Sequence, residues 1–137
     1  MLFLSEVRDC IAQLGIVDNE HVYSGRLDSK KDESIGVYNN RRGSPKINTV
    51  GGDKLRSYSV KAISILIHWN KRQRDTERKA YEVYTVLSNI RNVTVNGKRI
   101  LFTDMKMEEP VDVGTDDNGI YEMVIELDFY YERQEAE

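Results

Sequence analysis

Few residues in this chain could do chemistry. It holds two histidines, His21 and His68, and one cysteine, Cys10. A zinc centre draws about four nitrogen or sulfur ligands from short, regular spacings, and this set cannot supply them. The stretch Asp112-Val113-Gly114-Thr115-Asp116-Asp117-Asn118-Gly119 is rich in oxygen ligands. It lacks the alternating ligand positions and the closing glutamate of a calcium loop, so it reads as a turn. No Gly-x-Ser-x-Gly accompanies His68. Gly51-Gly52-Asp53-Lys54-Leu55 lacks the Gly-Lys-Ser/Thr ending of a phosphate loop. Nuclease carboxylates would need a basic background, and here they sit on an acidic one that repels a phosphate backbone. The residues predict no enzyme, no metal site and no cofactor.

Charge is distributed more tellingly than chemistry. Between Asn39 and Ser57 stand five basic residues, Arg41, Arg42, Lys46, Lys54 and Arg56, against the one acidic Asp53. Between Glu108 and Asp128 stand eight acidic residues and no basic one. Such runs commonly form solvated faces. A basic and an acidic segment on one chain are also what two contacting subunits need. Arg41, Arg42, Lys46, Lys54 and Arg56 are therefore candidate interface residues on one side, and Asp112, Asp116 and Asp117 on the other.

The net charge is −3 over 137 residues, with 39% hydrophobic and 31% charged residues. That is one domain's worth of chain, residues 1–137, able to bury a core. Neither nucleic acid nor an anionic membrane is expected as its main partner. A lone cysteine permits no internal disulfide and suits a reducing compartment. The N-terminus has no basic stretch before its apolar residues, so no signal peptide is expected. No apolar run approaches the length of a membrane span.

Hydrophobic spacing predicts the elements that must position these residues. Phe3, Val7, Cys10, Ile11 and Leu14 recur at three and four, one stripe of a short helix that Gly15 can end. On that stripe Cys10 is a buried, inert thiol. Residues 21–38 read as a hairpin around a polar tip, with a glycine in each arm for twist, a bulge or close backbone approach. Residues 39–57 carry no period, and we expect this segment to be flexible. Tyr58 to Asn70 reads as a central strand, with Ile63, Ile65, Ile67 and Trp69 on one face. Asp75 or Thr76 can cap a helix over about 76–91, carried by Ala80, Val83, Tyr84, Leu87 and Ile90. Two short strands flank Asn96-Gly97, a turn follows at 115–119, and residues 121–131 alternate as a final strand. Residues 132–137 are expected to fray. Trp69, Ile65, Tyr84, Leu87, Ile125 and Leu127 are assigned to the core. The order implies an α+β fold, two helices packed on one face of a mostly antiparallel sheet.

Three stretches carry a family resemblance. They are Asp32-Glu33-Ser34-Ile35-Gly36-Val37-Tyr38-Asn39, then Ile65-Leu66-Ile67-His68-Trp69-Asn70 followed by residues 76–84, and then Glu109-Pro110-Val111-Asp112-Val113-Gly114-Thr115-Asp116-Asp117-Asn118-Gly119-Ile120-Tyr121-Glu122 running into residues 129–133. Together they resemble the tail terminator, or tail-completion, proteins of long-tailed phages and prophages of Gram-positive bacteria, often labelled minor capsid protein. The Pro-Val-x-x-Gly-x-Asp element before the last strand is the most telling. The resemblance implies a tail-terminator-like subunit of a homo-hexameric ring. That ring would stop tail-tube growth at the head-proximal end and dock the head connector. It implies the tail-tube and head-connector proteins as partners and the virion as location, after assembly in the host bacterial cytoplasm. Nucleic acid would pass through the ring without being bound, and no membrane is involved. Two readings stay open beside it: a head-completion or connector protein, and a nucleic-acid-binding phage protein using the basic segment.

Overall fold

A computed structural model of the chain describes residues 1–28, 31–40, 43–44 and 57–133. Most of the expected flexible segment, Arg41, Arg42, Lys46, Lys54 and Arg56 among it, lies outside the described residues, as does the tail after Arg133.

Helix α1 spans Leu4–Gln13 and strands β1 and β2 span Val22–Ser24 and Ser34–Asn39. Strand β3 is Tyr58–His68, helix α2 Gln73–Ser88, and strands β4 and β5 are Arg91–Val95 and Lys98–Met105. Strands β6 and β7 are Val111–Thr115 and Tyr121–Glu132. The strands form one sheet in the order β1-β2-β3-β7-β5-β4, with β6 pairing β7 beside β5. All pairs are antiparallel except β1 with β2. Both helices pack on the face formed by the odd-numbered residues of β2, β3 and β7, so the expected α+β arrangement holds. Helix α1 touches β1 and β2 and also β4, at opposite ends of the strand order, so the sheet curls around the helices.

The core follows the two periodicities. From the strands come Ile35, Val37, Ile63, Ile65, Ile67, Ile125, Leu127 and Phe129; from the helices come Val7, Cys10, Ile11, Ala80, Val83 and Leu87. Trp69 and Tyr84 pack half-buried against this cluster. Thr103 Oγ1 donates to Leu87 O at 2.6 Å and Tyr84 Oη to Met107 O at 2.6 Å, fixing α2 on the sheet. Lys79 lies over the Trp69 ring and donates to Ile16 O at 2.8 Å, joining α2 to the link after α1.

Four expectations need correction. Residues 21–38 do not form a hairpin: Val22, Tyr23 and Ser24 pair in parallel with Ile35, Gly36 and Val37. The pair is parallel because β2 aligns antiparallel to β3 while β1 is held by α1, Arg8 Nε donating to Val22 O at 2.8 Å. Phe3 is 55% exposed and precedes α1 rather than lining its buried stripe. Its amide donates to Glu6 Oε1 at 2.8 Å, which starts the helix from a carboxylate. Helix α2 begins three residues earlier than expected, because Asn70 Oδ1 accepts from Arg72 N at 2.9 Å and Arg72 O takes the first helical bond, from Thr76 N. Asp75 then stands in the first turn, where its charge complements the helix dipole. Finally, 111–115 is a strand, β6, where only the approach to a turn was expected.

Candidate assembly interface

The acidic segment is built on the β6–β7 hairpin. Every residue of β6 is exposed, including Val111 at 46% and Val113 at 52%. Pro110, directly before it, is buried and anchors its start. The register of β6 on β7 slips between Asp112 and Gly114, a bulge. Gly114 sits there at φ +89°, a conformation that disfavours any residue with a Cβ. Asp112 Oδ1 accepts from Gly114 N at 2.8 Å across the bulge. Asp116 builds the turn: its Oδ1 accepts from Asn118 N at 2.9 Å and from Ile120 N at 3.0 Å. This explains the Pro-Val-x-x-Gly-x-Asp pattern as an anchor, a bulge glycine and a turn carboxylate.

The structure therefore gives the three expected acidic residues different roles. Asp112 and Asp117 are exposed. Asp116 is only 16% exposed, and its Oδ2 is buried, facing His68 Nδ1 at 3.8 Å. His68 is fully buried and also meets Glu122 Oε2 at 2.8 Å. This histidine–carboxylate cluster ties β3, β7 and the turn together. Sequence reading could not assemble it, because it depends on the register that puts His68 opposite Glu122. Among the described residues no three His, Cys, Asp or Glu side chains are placed to hold a metal ion.

More of the acidic segment lies on the sheet face away from the helices. Lys106 Nζ is 2.9 Å from Asp104 Oδ2 and 3.1 Å from Asp128 Oδ2. Hydrogen bonds first to Asp104 and then to Asp128 push its pKa up, so it remains a fixed cation. Toward one end of that face Phe102 stacks on Tyr130 at 4.4 Å, and Tyr58 stacks on Tyr130 at 5.7 Å. Toward the other is an open groove of about 590 Å³, lined by Tyr38, Asn40, Ser64, Leu66, Val124 and Glu126 among others. Gly36 lets the Tyr38 ring lie against the sheet here, since a Cβ would meet that ring at 2.7 Å. Tyr58 and Tyr130 were expected only as strand residues, and alternation alone could not show that they stack across β3 and β7.

No curated protein sequence matches the chain. Its structure is similar to a chain of the "Virion of native gene transfer agent (GTA) particle", with a TM-score of 0.54 and 12% identity over 90% of this chain and 84% of that one. At that identity the likeness shows a shared fold. The model of the family described as "Bacteriophage tail terminator protein" matches residues 10–133. That match takes in α1 from Cys10 onward and every strand through β7 up to Arg133. The chain belongs to the bacteriophage tail terminator family and is a phage structural protein.

Proposed function

We propose that this protein forms a ring of six copies at the head-proximal end of a phage tail, where it stops growth of the tail tube and joins it to the head connector. One observation carries the reading: the tail terminator family match runs over nearly the whole chain. The geometry is consistent with an assembly role. The acidic residues make an exposed hairpin and part of a sheet face.

A closed ring needs two different, complementary patches on each subunit. The basic residues Arg41, Arg42, Lys46, Lys54 and Arg56 supply one, and the acidic hairpin with its exposed Asp112 and Asp117 the other. Complementary charge favours correct register and speeds docking. The partners are further copies of the chain, the tail-tube protein and the head connector, and the complex resides in the virion after assembly in the host cytoplasm. The protein does no catalysis in this role.

The test is to add purified protein to tail-tube protein as it polymerises and to image the tubes. The proposal expects tubes of arrested length with a six-fold ring at one end. Unaltered tube growth with no end density would overturn it, and binding to isolated head connectors alone would favour a head-completion role.

A further inference from the structure

Six large apolar side chains are exposed among the described residues, and five of them gather at two places. The first is the β6 side of the molecule. Val111 and Val113 stand on β6, and Tyr81 of α2 reaches toward it, its Oη donating to Glu109 Oε2 at 2.8 Å. The rim there is acidic. Glu109 precedes the strand, Asp112 stands between the valines, and Glu77 lies one turn before Tyr81 on α2. Among the described residues none of these three carboxylates has an ion pair.

The second place is the start of β5, where Met1 and Phe3 are exposed. Lys98 Nζ lies 4.3 Å from the centre of the Phe3 ring and donates to Met1 O, so residues 1–3 are held against the strand. Arg99 follows Lys98, and Arg133 stands at the same end of the sheet, where its amide donates to Ser57 O at 3.0 Å. Two carboxylates accompany these cations, Glu132 beside Arg99 and the buried Glu6 beside Lys98. The surface is therefore apolar with a cationic rim.

One copy cannot bring the two places together. Strand β6 pairs with residues 121–124 of β7, and the start of β5 pairs at Tyr131. They are about 30 Å apart at roughly 3.3 Å per residue. Their charges also decide how copies meet. Two acidic rims repel one another, whereas the acidic rim attracts the cationic one. Two different complementary patches at opposite ends of a subunit are what a head-to-tail contact requires. An aromatic ring already held over a lysine loses little freedom on docking.

We infer that Met1 and Phe3 of one copy pack on Tyr81, Val111 and Val113 of the next copy around the ring, with Lys98 and Arg99 facing Glu109 and Asp112. This rests on the ring reading and gives its charged contact an apolar centre. The test uses full-length protein carrying F3C with V113C, or F3C with V111C, assembled on tail tubes. A short bis-maleimide is added, and the products are separated on a denaturing gel. Within one copy the paired positions are too far apart to be linked, and Cys10 is buried and gives no background. The inference expects a ladder of linked copies from each double variant, and a linked dimer only when singly substituted proteins are mixed. It also expects F3D, which sets a carboxylate against the acidic rim, to lower the number of rings on tubes at least about tenfold with the isolated subunit still folded. Rings that form without any inter-copy link, or that form normally in F3D, overturn this contact and leave the ring intact. A failure of the unsubstituted protein to form rings removes both.

Discussion

Glu6 is the most consequential charged residue of the core. It is 7% exposed and is met by Lys98 Nζ at 2.8 Å, with the Phe3 amide on the same oxygen. Burial alone would raise its pKa, but the Lys98 and Phe3 hydrogen bonds outweigh that and hold it below the ordinary value of 4.5. A depressed carboxyl contributes stability above the unfolded pKa and loses it as pH falls through the folded one. Stability should therefore drop below about pH 4.5, and K98M should flatten that dependence while costing about 3 kcal/mol at pH 7. Urea midpoints at pH 7 and at about pH 3 check both. Cys10 offers a second reading at this scale. Burial pushes its thiol up to about 11, so the folded protein should resist thiol reagents at pH 8 until denaturant is added. Equal labelling with and without denaturant would contradict the packing of α1. Cys10 was legible as buried from its stripe alone. Glu6 was not, because its partner is 92 residues away and α1 and β5 meet only through the curl of the sheet.

At the scale of elements, the β6–β7 hairpin is held by a bulge and an aspartate turn. Gly114 at φ +89° should resist substitution, G114A costing about 1–2 kcal/mol. Asp116→Ala removes the acceptor for two amides and should cost a similar amount, about 1–2 kcal/mol. Hydrogen exchange localises both losses: amides 116–122 should exchange faster, with α2 unchanged. If α2 loosened equally, the hairpin would not be the separate unit described. The core helix α2, the Asn96-Gly97 hairpin and the alternation of β7 were all legible because each is set by local periodicity or by one turn. The parallel β1–β2 pair was not, since polar residues between two short runs look the same whether the chain reverses once or loops back. Strand β6 escaped because all five of its residues are exposed and its brief Val111–Val113 alternation runs straight into Gly114 and the turn. The acidic residues were legible as charge, but not that Asp116 would be turned inward to His68.

For the whole molecule, the match over residues 10–133 makes the chain a member of the tail terminator family, and the proposal is that its basic and acidic segments meet between copies. If those contacts close the ring, assembly should weaken as salt rises from about 0.05 to 0.5 M, where screening shortens to a few ångströms. Sedimentation or microscopy of rings on tubes reads this directly. Reversing Arg41 and Arg42 to glutamate should weaken each inter-copy contact by at least about tenfold, about 1.4 kcal/mol, and so lower the yield of joined particles, with the isolated subunit still folded. Intact joining in that variant would rule out the pairing of basic and acidic segments.

The most direct test of the central claim is electron microscopy of lysates from a phage or prophage in which this gene has been deleted. The account expects overlong tail tubes of irregular length beside unattached, filled heads. Tails of normal length beside unattached or leaking heads would contradict the terminator role and place the protein at the head, and normal infectious particles would contradict any structural role.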